Sequence, residues 1–199
     1  MKIAVIHEDA EVLLAGCGSL LSSMVSLGHE VNAVAPAGGP DVADGFESLG
    51  AEYAMYPLAP GGLTPVSDIG TLLHLKQVLF RIRPDLVLSA GLKPMVYGSL
   101  AARMAWVGEE KKVFALADGP GTAFADGGLK GRLFSALAKP MLRAGFRSCD
   151  GICFRSGRAE SFYRDLGVLQ PDARTVVVDG DGPERDPAVL AFMGLTSID

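Results

Sequence analysis

Short apolar runs alternate along this chain with longer amphipathic stretches. The apolar runs predict seven strands, at residues 2–6, 30–35, 51–58, 85–90, 112–117, 151–154 and 175–179. The stretches between them carry apolar residues at helical spacing and predict helices at 11–27, 41–49, 68–82, 94–106, 129–146 and 157–166. Several strands are apolar throughout, which is typical of strands covered by helices on both faces. The pattern therefore predicts an α/β fold with a doubly wound, mostly parallel Rossmann-like sheet.

The domain organisation follows from the same pattern. Residues 1–180 are expected to form one domain, and residues 181–199 a C-terminal tail with a short helix at 187–193. The chain has 199 residues, of which 49% are hydrophobic and 21% charged, so it can bury a sizeable core and is not a disordered protein. No apolar run reaches the roughly 18 residues of a membrane span, and residues 1–9 are too polar for a signal peptide. A cytoplasmic location is the expectation.

Charge is distributed unevenly along the chain. Residues 1–70 contain one basic and nine acidic residues, residues 71–149 twelve basic and five acidic, and residues 150–199 five basic and nine acidic. A basic central third in an acidic protein indicates an anionic partner for that surface, or else a mixed, solvated surface. The three cysteines lack the spacing of a zinc site and are too few for a disulfide scaffold, which favours a reducing compartment.

A ligand in such a sheet binds beyond the carboxyl ends of the strands, where the strand order reverses. With the common order, residues 7–10 and 91–94 flank that crevice, and residues 118–128 lie beside them. His7 is expected to line it. The first turn has three acidic residues and no glycine fingerprint, which argues against a dinucleotide-binding dehydrogenase. P-loop, zinc hydrolase and serine esterase motifs are also missing, so neither a metal nor another cofactor is expected.

Lys93 is the first candidate for ligand binding. It precedes Pro94, which is predicted to begin a helix, so an ammonium group and a helix N-terminus would both favour an anion in the crevice. The alternative is a loop lysine that faces solvent.

Asp118 is the second candidate. It follows the fifth strand within the glycine-rich run 118–122, where a ligand can approach the backbone closely. Its carboxylate would accept hydrogen bonds from sugar hydroxyls or act as a base. The alternative is an ordinary Gly/Pro turn.

The predicted helix at 129–146 is the third candidate. Its basic residues fall within about 80° of one helical face, which an anionic membrane would attract. The residues on this face are Arg132, Lys139, Arg143 and Arg147, and Lys130 adds a further charge nearby. The apolar residues assigned to the opposite, core-facing side are Leu133, Phe134, Leu137, Met141 and Ala144. The alternative is a core helix whose basic residues are simply solvated, and Pro140 is expected to kink it.

Several segments, in this order and spacing, resemble the N-terminal half of family 4 glycosyltransferases. The segments are 62–65, 68–87, 93–103, 114–121, 127–132 and 166–168. The run 118–121 is similar to that family's Glu-Gly-Leu-Gly segment after the fifth strand. The resemblance covers about residues 1–180 and is strongest to enzymes that transfer a hexosamine to a sugar on polyprenyl diphosphate, in the assembly of surface polysaccharides or glycoprotein glycans.

The resemblance implies a GT-B fold of two Rossmann-like domains with retaining catalysis in the cleft between them. The N-terminal domain would bind the sugar acceptor and touch the inner face of the membrane, and the other domain would bind the nucleotide-sugar donor. The resemblance places Asp118 near an acceptor hydroxyl as the catalytic residue and Lys93 near a carrier phosphate. The remaining acceptor-site residues would be His7, Gly119, Gly121 and Thr122. No nucleic-acid partner is expected.

The sequence also departs from that family. Residues 181–199 are too few for a donor-binding domain, so either a partner chain supplies it or the protein is a degenerate or truncated relative. Relatives carry a His-Arg pair where this chain has residues 15–17, and Asp118 and Pro120 replace the glutamate and leucine of the Glu-Gly-Leu-Gly segment. Two functions stay open: the acceptor-binding half of a split transferase, or a non-catalytic binding or membrane-recruitment subunit. An exposed interdomain face would also allow assembly into homo- or hetero-oligomers.

Overall fold

A computed structural model describes residues 1–58, 68–119, 129–179 and 185–195, with the backbone alone described for 129–137. Within these ranges one sheet contains seven strands. They are β1 (Lys2–Ile6), β2 (Glu30–Ala35), β3 (Glu52–Met55), β4 (Leu86–Ala90), β5 (Lys112–Ala117), β6 (Gly151–Phe154) and β7 (Thr175–Val177). Their spatial order is β3-β2-β1-β4-β5-β6-β7, and every neighbouring pair is parallel. The predicted fold class is confirmed.

Helices cover both faces of this sheet. They are α1 (Ala10–Ser26), α2 (Val42–Ser48), α3 (Asp68–Ile82), α4 (Ser99–Ala105), α5 (Leu129–Arg147), α6 (Gly157–Asp165) and α7 (Asp186–Met193). Buried residues of α1, α2 and α7 share one hydrophobic core with one face of the sheet, and those of α3 to α6 share a second core with the other. The five central strands, from β2 to β6 in the spatial order, are buried from both sides, which is why their sequences are mostly apolar runs, whereas the edge strands β3 and β7 are only partly buried.

The ends of α1 show how local sequence sets the element boundaries. Asp9 is the N-cap, and its carboxylate accepts a hydrogen bond from the Val12 amide at 2.8 Å. At the other end Gly28 has a φ of 84°, and its amide donates to the Val25 carbonyl, while His29 donates to Met24. This pair of bonds is a Schellman motif, which requires the left-handed conformation that glycine adopts without strain.

The segment predicted as one helix at 94–106 is divided in two. Pro94–Gly98 forms a π-helical turn and α4 follows directly. Gly98 lets this turn approach the sheet, because a Cβ atom there would lie 2.8 Å from Oγ of Ser89. Because this π-helical turn packs closely on β4, its first residue lies at the edge of the sheet where the strands end.

The face of α5 that packs against the rest of the molecule differs from the expected one by a single position. In the part of α5 whose side chains are described, the buried residues are Ala138, Leu142, Gly145 and Phe146. A Cβ atom on Gly145 would lie 2.8 Å from both the Met95 carbonyl oxygen and Cα of Val96. The helix therefore approaches its neighbour through its smallest residue, which leaves Met141 and Ala144 only partly buried. The helix continues through Pro140.

The tail helix α7 packs back onto the domain. Val189, Leu190 and Met193 are buried in the same core as the inner face of α1. The guanidinium of Arg185 donates to the Gly16 carbonyl oxygen of α1 at 2.6 Å. The helix expected at 187–193 is present one residue longer, and it contributes to the domain's own core.

Candidate functional site

The strand order reverses between β1 and β4, and the chain leaves these two neighbours toward opposite faces of the sheet. The α1 helix follows β1 into one layer, whereas the π-helical turn follows β4 into the other. Such a divergence opens a crevice at the carboxyl ends of the strands. Here the crevice is a cleft of about 530 Å³, and its lining residues are His7, Glu8, Asp9, Val12, Gly91, Leu92, Met95, Asp118, Gly119 and Tyr163.

His7 lies in the cleft wall with only 7% of its surface exposed. Its Nδ1 atom is 3.0 Å from the amide nitrogen of Asp9 and 2.9 Å from the carbonyl oxygen of Asp9. The Asp9 backbone therefore holds Nδ1 in either tautomer, and Nε2 is the ring nitrogen that can meet a ligand. Burial lowers the pKa of His7 below its ordinary value of 6.5, against the opposing effect of the carboxylates of Glu8, Asp118 and Asp9. The imidazole is thus neutral near pH 7.

Glu8 connects the two loops that form the cleft. Its Oε2 atom accepts a hydrogen bond from the backbone amide of Lys93 at 3.0 Å. Gly91 packs against the same carboxylate, since a Cβ atom there would lie 3.3 Å from Cδ of Glu8, and the φ of Gly91 is 93°. The positive φ favours glycine at this position, and a larger residue would also press on the Glu8 side chain.

The side chain of Lys93 corrects an expectation from the sequence. Its Nζ atom lies 2.9 Å from Oδ1 of Asp68, with side-chain exposures of 5% and 0% respectively, and Lys93 is not among the cleft-lining residues. The ammonium therefore faces the start of α3 and not a ligand in the cleft. A cation can be buried this deeply only beside a compensating charge, and a residue 25 positions earlier in the chain supplies it.

Asp118 is in the cleft, at the end of β5. Its carboxylate oxygen Oδ1 lies 2.9 Å from Nε of Arg155, and the two side chains are 50% and 20% exposed. Gly119 is beside it and has open space where a Cβ atom would stand. The other two predicted acceptor-binding residues, Gly121 and Thr122, lie outside the described residues.

Two polar residues at this site, Arg155 and Tyr163, were missed by the sequence analysis. Arg155 directly follows β6, so its position at the carboxyl edge of the sheet was a signal that could have identified it. Tyr163 belongs to α6 and is buried, and its pKa is raised by that burial and by the nearby charges of Asp118 and Glu8. No local motif marks Tyr163, because only the packing of α6 brings it to the cleft.

The described basic residues of α5, Lys139, Arg143 and Arg147, are not among the residues that line the cleft. Arg143 and Arg147 are exposed, and Lys139 is half-buried. The Arg143 guanidinium donates to the Gly167 carbonyl oxygen at 2.6 Å, which fixes its position beside the end of α6. The side chains of Lys130 and Arg132 lie outside the described part of α5.

The described ranges also contain features away from this cleft. A second cavity, of about 490 Å³, lies on the outer face of α3 and is lined by Leu73, Lys76, Gln77, Phe80 and Arg81. Among the described residues, no three His, Cys, Asp or Glu side chains are grouped as metal ligands would be. No helix in those ranges combines the length and the apolar character that crossing a bilayer requires. The cleft is thus the one of these two cavities that contains predicted site residues.

Comparison with known proteins identifies the family to which the sequence is similar. Residues 15–180 match the model of the glycosyl transferase 4-like domain. The N,N'-diacetylbacillosaminyl-diphospho-undecaprenol alpha-1,3-N-acetylgalactosaminyltransferase of Campylobacter jejuni is 27% identical over 125 residues, which are 63% of this chain and 32% of that enzyme. The chain therefore spans about a third of the length of this curated relative.

Solved structures agree on the fold. A sucrose-phosphate synthase structure from Thermosynechococcus elongatus aligns with a TM-score of 0.62 at 11% identity, covering 98% of this chain and 96% of that one. The MurG structure of Acinetobacter baumannii aligns with a TM-score of 0.55 at 14% identity, covering 92% of this chain and 46% of that one. At such identities the likeness concerns the fold alone.

Proposed function

This chain belongs to the family of glycosyl transferase 4-like domains, and we propose that it is the acceptor-binding half of a retaining glycosyltransferase. Its acceptor would be a lipid-linked or polysaccharide sugar, and a separate domain would bind the nucleotide-sugar donor. The need for that domain is supported by the share of the Campylobacter relative that the chain spans, 32%. The name of that relative describes transfer to a sugar on diphospho-undecaprenol, which supports a carrier-linked acceptor here.

The observation that carries the proposal is the polar cleft at the strand-order reversal. A sugar acceptor offers hydroxyl groups, and the cleft offers the Asp118 carboxylate, half exposed at one wall, and the neutral His7 imidazole at another. A carboxylate beside an acceptor hydroxyl accepts its hydrogen bond and orients its oxygen toward the reacting carbon. Leu92 and Met95 supply apolar surface for the sugar ring.

Asp118 has the role of the catalytic residue in this proposal, and Arg155 that of a positioning residue. The ion pair at 2.9 Å restrains the Asp118 carboxylate at the end of β5 without burying it. In the transfer step the bond from the donor sugar to its diphosphate breaks, the acceptor oxygen forms the new glycosidic bond, and the Asp118 carboxylate accepts the hydroxyl proton. The donor-binding domain would neutralise the leaving diphosphate.

A membrane-facing role for α5 is part of the same proposal. A carrier-linked acceptor is held at a bilayer, and an enzyme working on it gains from a basic surface directed at anionic lipids. Arg143 and Arg147 are exposed on α5, and Lys130, Arg132 and Lys139 share the helix. The proposed location is cytoplasmic, at the inner face of the membrane.

The test is turnover by a reconstituted pair. The chain, a candidate donor-binding domain and their mixture are each assayed with a panel of UDP-sugars and a lipid-linked saccharide. Turnover is expected from the mixture alone. Asp118→Asn should lower kcat by about 10²–10⁴ if its carboxylate assists the acceptor hydroxyl, and Asp44→Asn, an exposed position on α2, is the matched control.

The alternative function, a non-catalytic binding or recruitment subunit, predicts a different result. It predicts binding to saccharide or to anionic vesicles with no turnover by any pair. Equal turnover by the wild type and by the Asp118→Asn variant would contradict the catalytic role of this carboxylate, even if the pair is active.

A further inference from the structure

The charges that face the cleft are predominantly negative. Glu8, Asp9 and Asp118 all line it. Near its loops, Lys93 turns its ammonium to Asp68, and Arg155 is paired with Asp118. The residues that line the cleft thus include three acids and no lysine or arginine, which leaves an excess of negative charge among the described residues.

The three carboxylates act on the same space. Each of them raises the pKa of His7 against the larger, lowering effect of burial. Glu8 and Asp118 also raise the pKa of Tyr163, which lies in the cleft wall. Because all three carboxylates act on the His7 ring in the cleft wall, a ligand beside that ring would experience the sum of their charges.

The usual anion-binding feature of this fold is already occupied by the chain itself. A helix N-terminus at the end of the first strand would normally attract a phosphate. In α1 the Asp9 carboxylate accepts the Val12 amide hydrogen at 2.8 Å, and Glu11 adds a second acid in the first turn. These groups satisfy and neutralise the positive end of the helix, so it offers little attraction to a phosphate.

The same carboxylates suit hydroxyl or ammonium donors. One oxygen of each has a described partner: the Lys93 amide for Glu8, the Val12 amide for Asp9 and the Arg155 guanidinium for Asp118. The two hydrogen bonds and the Asp118–Arg155 ion pair hold the carboxylates in place, and a carboxylate has further acceptor capacity on its second oxygen. Groups arranged in this way can bind a polyol.

We propose that the cleft binds an uncharged or ammonium-bearing sugar ring and excludes phosphate, so that the phosphoryl end of the acceptor lies outside it. This inference rests on the proposed function, since it specifies which part of the acceptor the cleft holds. It reverses the expectation that a carrier phosphate binds beside Lys93. The acceptor would enter with its hydroxyl-bearing end toward Asp118 and its diphosphate directed away from the three acids.

The test uses three probes that differ in charge: glucosamine, glucose and glucose 1-phosphate. Each is titrated into the isotope-labelled chain at neutral pH and low salt, and the amide resonances of Gly91 and Gly119 report binding in the cleft. Glucosamine is expected to bind at least as tightly as glucose, and glucose 1-phosphate at least tenfold more weakly. Methyl α-glucoside controls for the added group at C1. Added salt should narrow the difference between probes, because the repulsion is electrostatic.

Substitutions that remove charge without changing shape locate the effect. The cleft variant combines Glu8→Gln, Asp9→Asn and Asp118→Asn; glutamine and asparagine keep an acceptor oxygen, and asparagine is a good N-cap. The control combines Asp44→Asn, Glu47→Gln and Glu52→Gln, three exposed acids on α2 and β3. The cleft variant should bind glucose 1-phosphate several-fold more tightly than the wild type does, and the control should not.

The outcomes separate the two proposals. If glucose 1-phosphate shifts Gly91 and Gly119 at the same or lower concentration than glucose, the exclusion of phosphate is wrong while a sugar site remains. If no probe shifts these residues, the cleft is not a sugar site, and both the proposed function and this inference fail. If the two triple variants gain the same affinity for glucose 1-phosphate, the inference is also overturned, since the gain would then come from the net charge of the protein and not from the cleft.

Discussion

Nζ of Lys93 lies 2.9 Å from Oδ1 of Asp68, and both side chains are almost completely buried. The pair joins the loop after β4 to the first residue of α3. The same loop is fixed on its other side by the hydrogen bond from the Lys93 amide to Glu8. Lys93 therefore orders one wall of the cleft through its backbone, while its charge stabilises the fold.

Removal of the Lys93 charge should destabilise the protein strongly. Lys93→Met leaves the carboxylate of Asp68 buried without this cation, and such losses cost about 3–5 kcal/mol. Chemical denaturation gives the free energy of unfolding. Lys112→Met, at an exposed position of β5, is the control and should change it by no more than about 0.5 kcal/mol. A similar value for the two variants would show that the buried pair is not structural.

The ion pair between Asp118 and Arg155 has the same length as the pair between Lys93 and Asp68, but it should contribute less to the free energy of unfolding. Its side chains are 50% and 20% exposed, so water already screens the interaction. Asp118→Asn is expected to change the free energy of unfolding by less than about 1 kcal/mol. The same denaturation series measures it. A loss as large as that of Lys93→Met would mean that Asp118 is required for folding, and its variant could then not be used to test catalysis.

Two helical glycines should respond to alanine in opposite directions. Gly145→Ala places a methyl group 2.8 Å from backbone atoms of Met95 and Val96, which cannot move as a flexible side chain would, and should destabilise by about 1–3 kcal/mol. Gly16→Ala in α1 meets nothing within 4 Å and should stabilise by up to about 1 kcal/mol through helix propensity. Thermal unfolding of both variants checks the pair. Destabilisation by Gly16→Ala, or none by Gly145→Ala, would contradict the packing described for α1 and α5.

Protonation of His7 should reduce stability in mild acid. Burial lowers the pKa of His7 in the folded state below the ordinary 6.5, so the unfolded chain binds its proton first. The contribution of His7 is therefore fully present above pH 6.5 and is lost as the pH falls from 6.5 toward the folded-state pKa. The free energy of unfolding is measured by denaturation at pH 7.5 and at pH 5.5. Its decrease between the two pH values should be smaller in His7→Gln than in the wild type. Identical pH dependence in the two proteins would argue against a neutral, buried His7.

The basic residues of α5 should determine binding to anionic vesicles. Arg132, Lys139, Arg143 and Arg147, all changed to Gln, remove four charges worth about 1 kcal/mol each near a surface, so binding should weaken by a factor on the order of 100 or more. Cosedimentation with phosphatidylglycerol vesicles measures this.

The control for α5 removes four charges elsewhere. It changes Lys76, Arg81, Lys112 and Arg158 to Gln; two of these lie beside exposed Leu73 and Phe80 on α3. Unchanged binding of the α5 variant, or an equal loss in the control, would exclude α5 as the membrane surface.

The amino-acid sequence alone determined the architecture and the position of the site. Periodicity located the seven strands of the described residues. The central strands are covered on both faces and are therefore apolar runs, and strand–helix alternation allowed few sheet orders. The position of Asp118 after β5 then placed it at the carboxyl edge of the sheet, in the cleft where it is found. Such features depend on residues that are close in sequence.

What only the tertiary structure decided was where individual side chains point. Lys93 turns from the cleft to Asp68, α5 packs through Gly145 one position away from the expected face, and Tyr163 reaches the cleft from α6. Each outcome depends on a partner far away in the sequence and on how closely two elements approach. The pattern of neighbouring residues contains no information on the distances between elements that pack together. Those distances set the free-energy cost of a buried charge or of overlapping atoms.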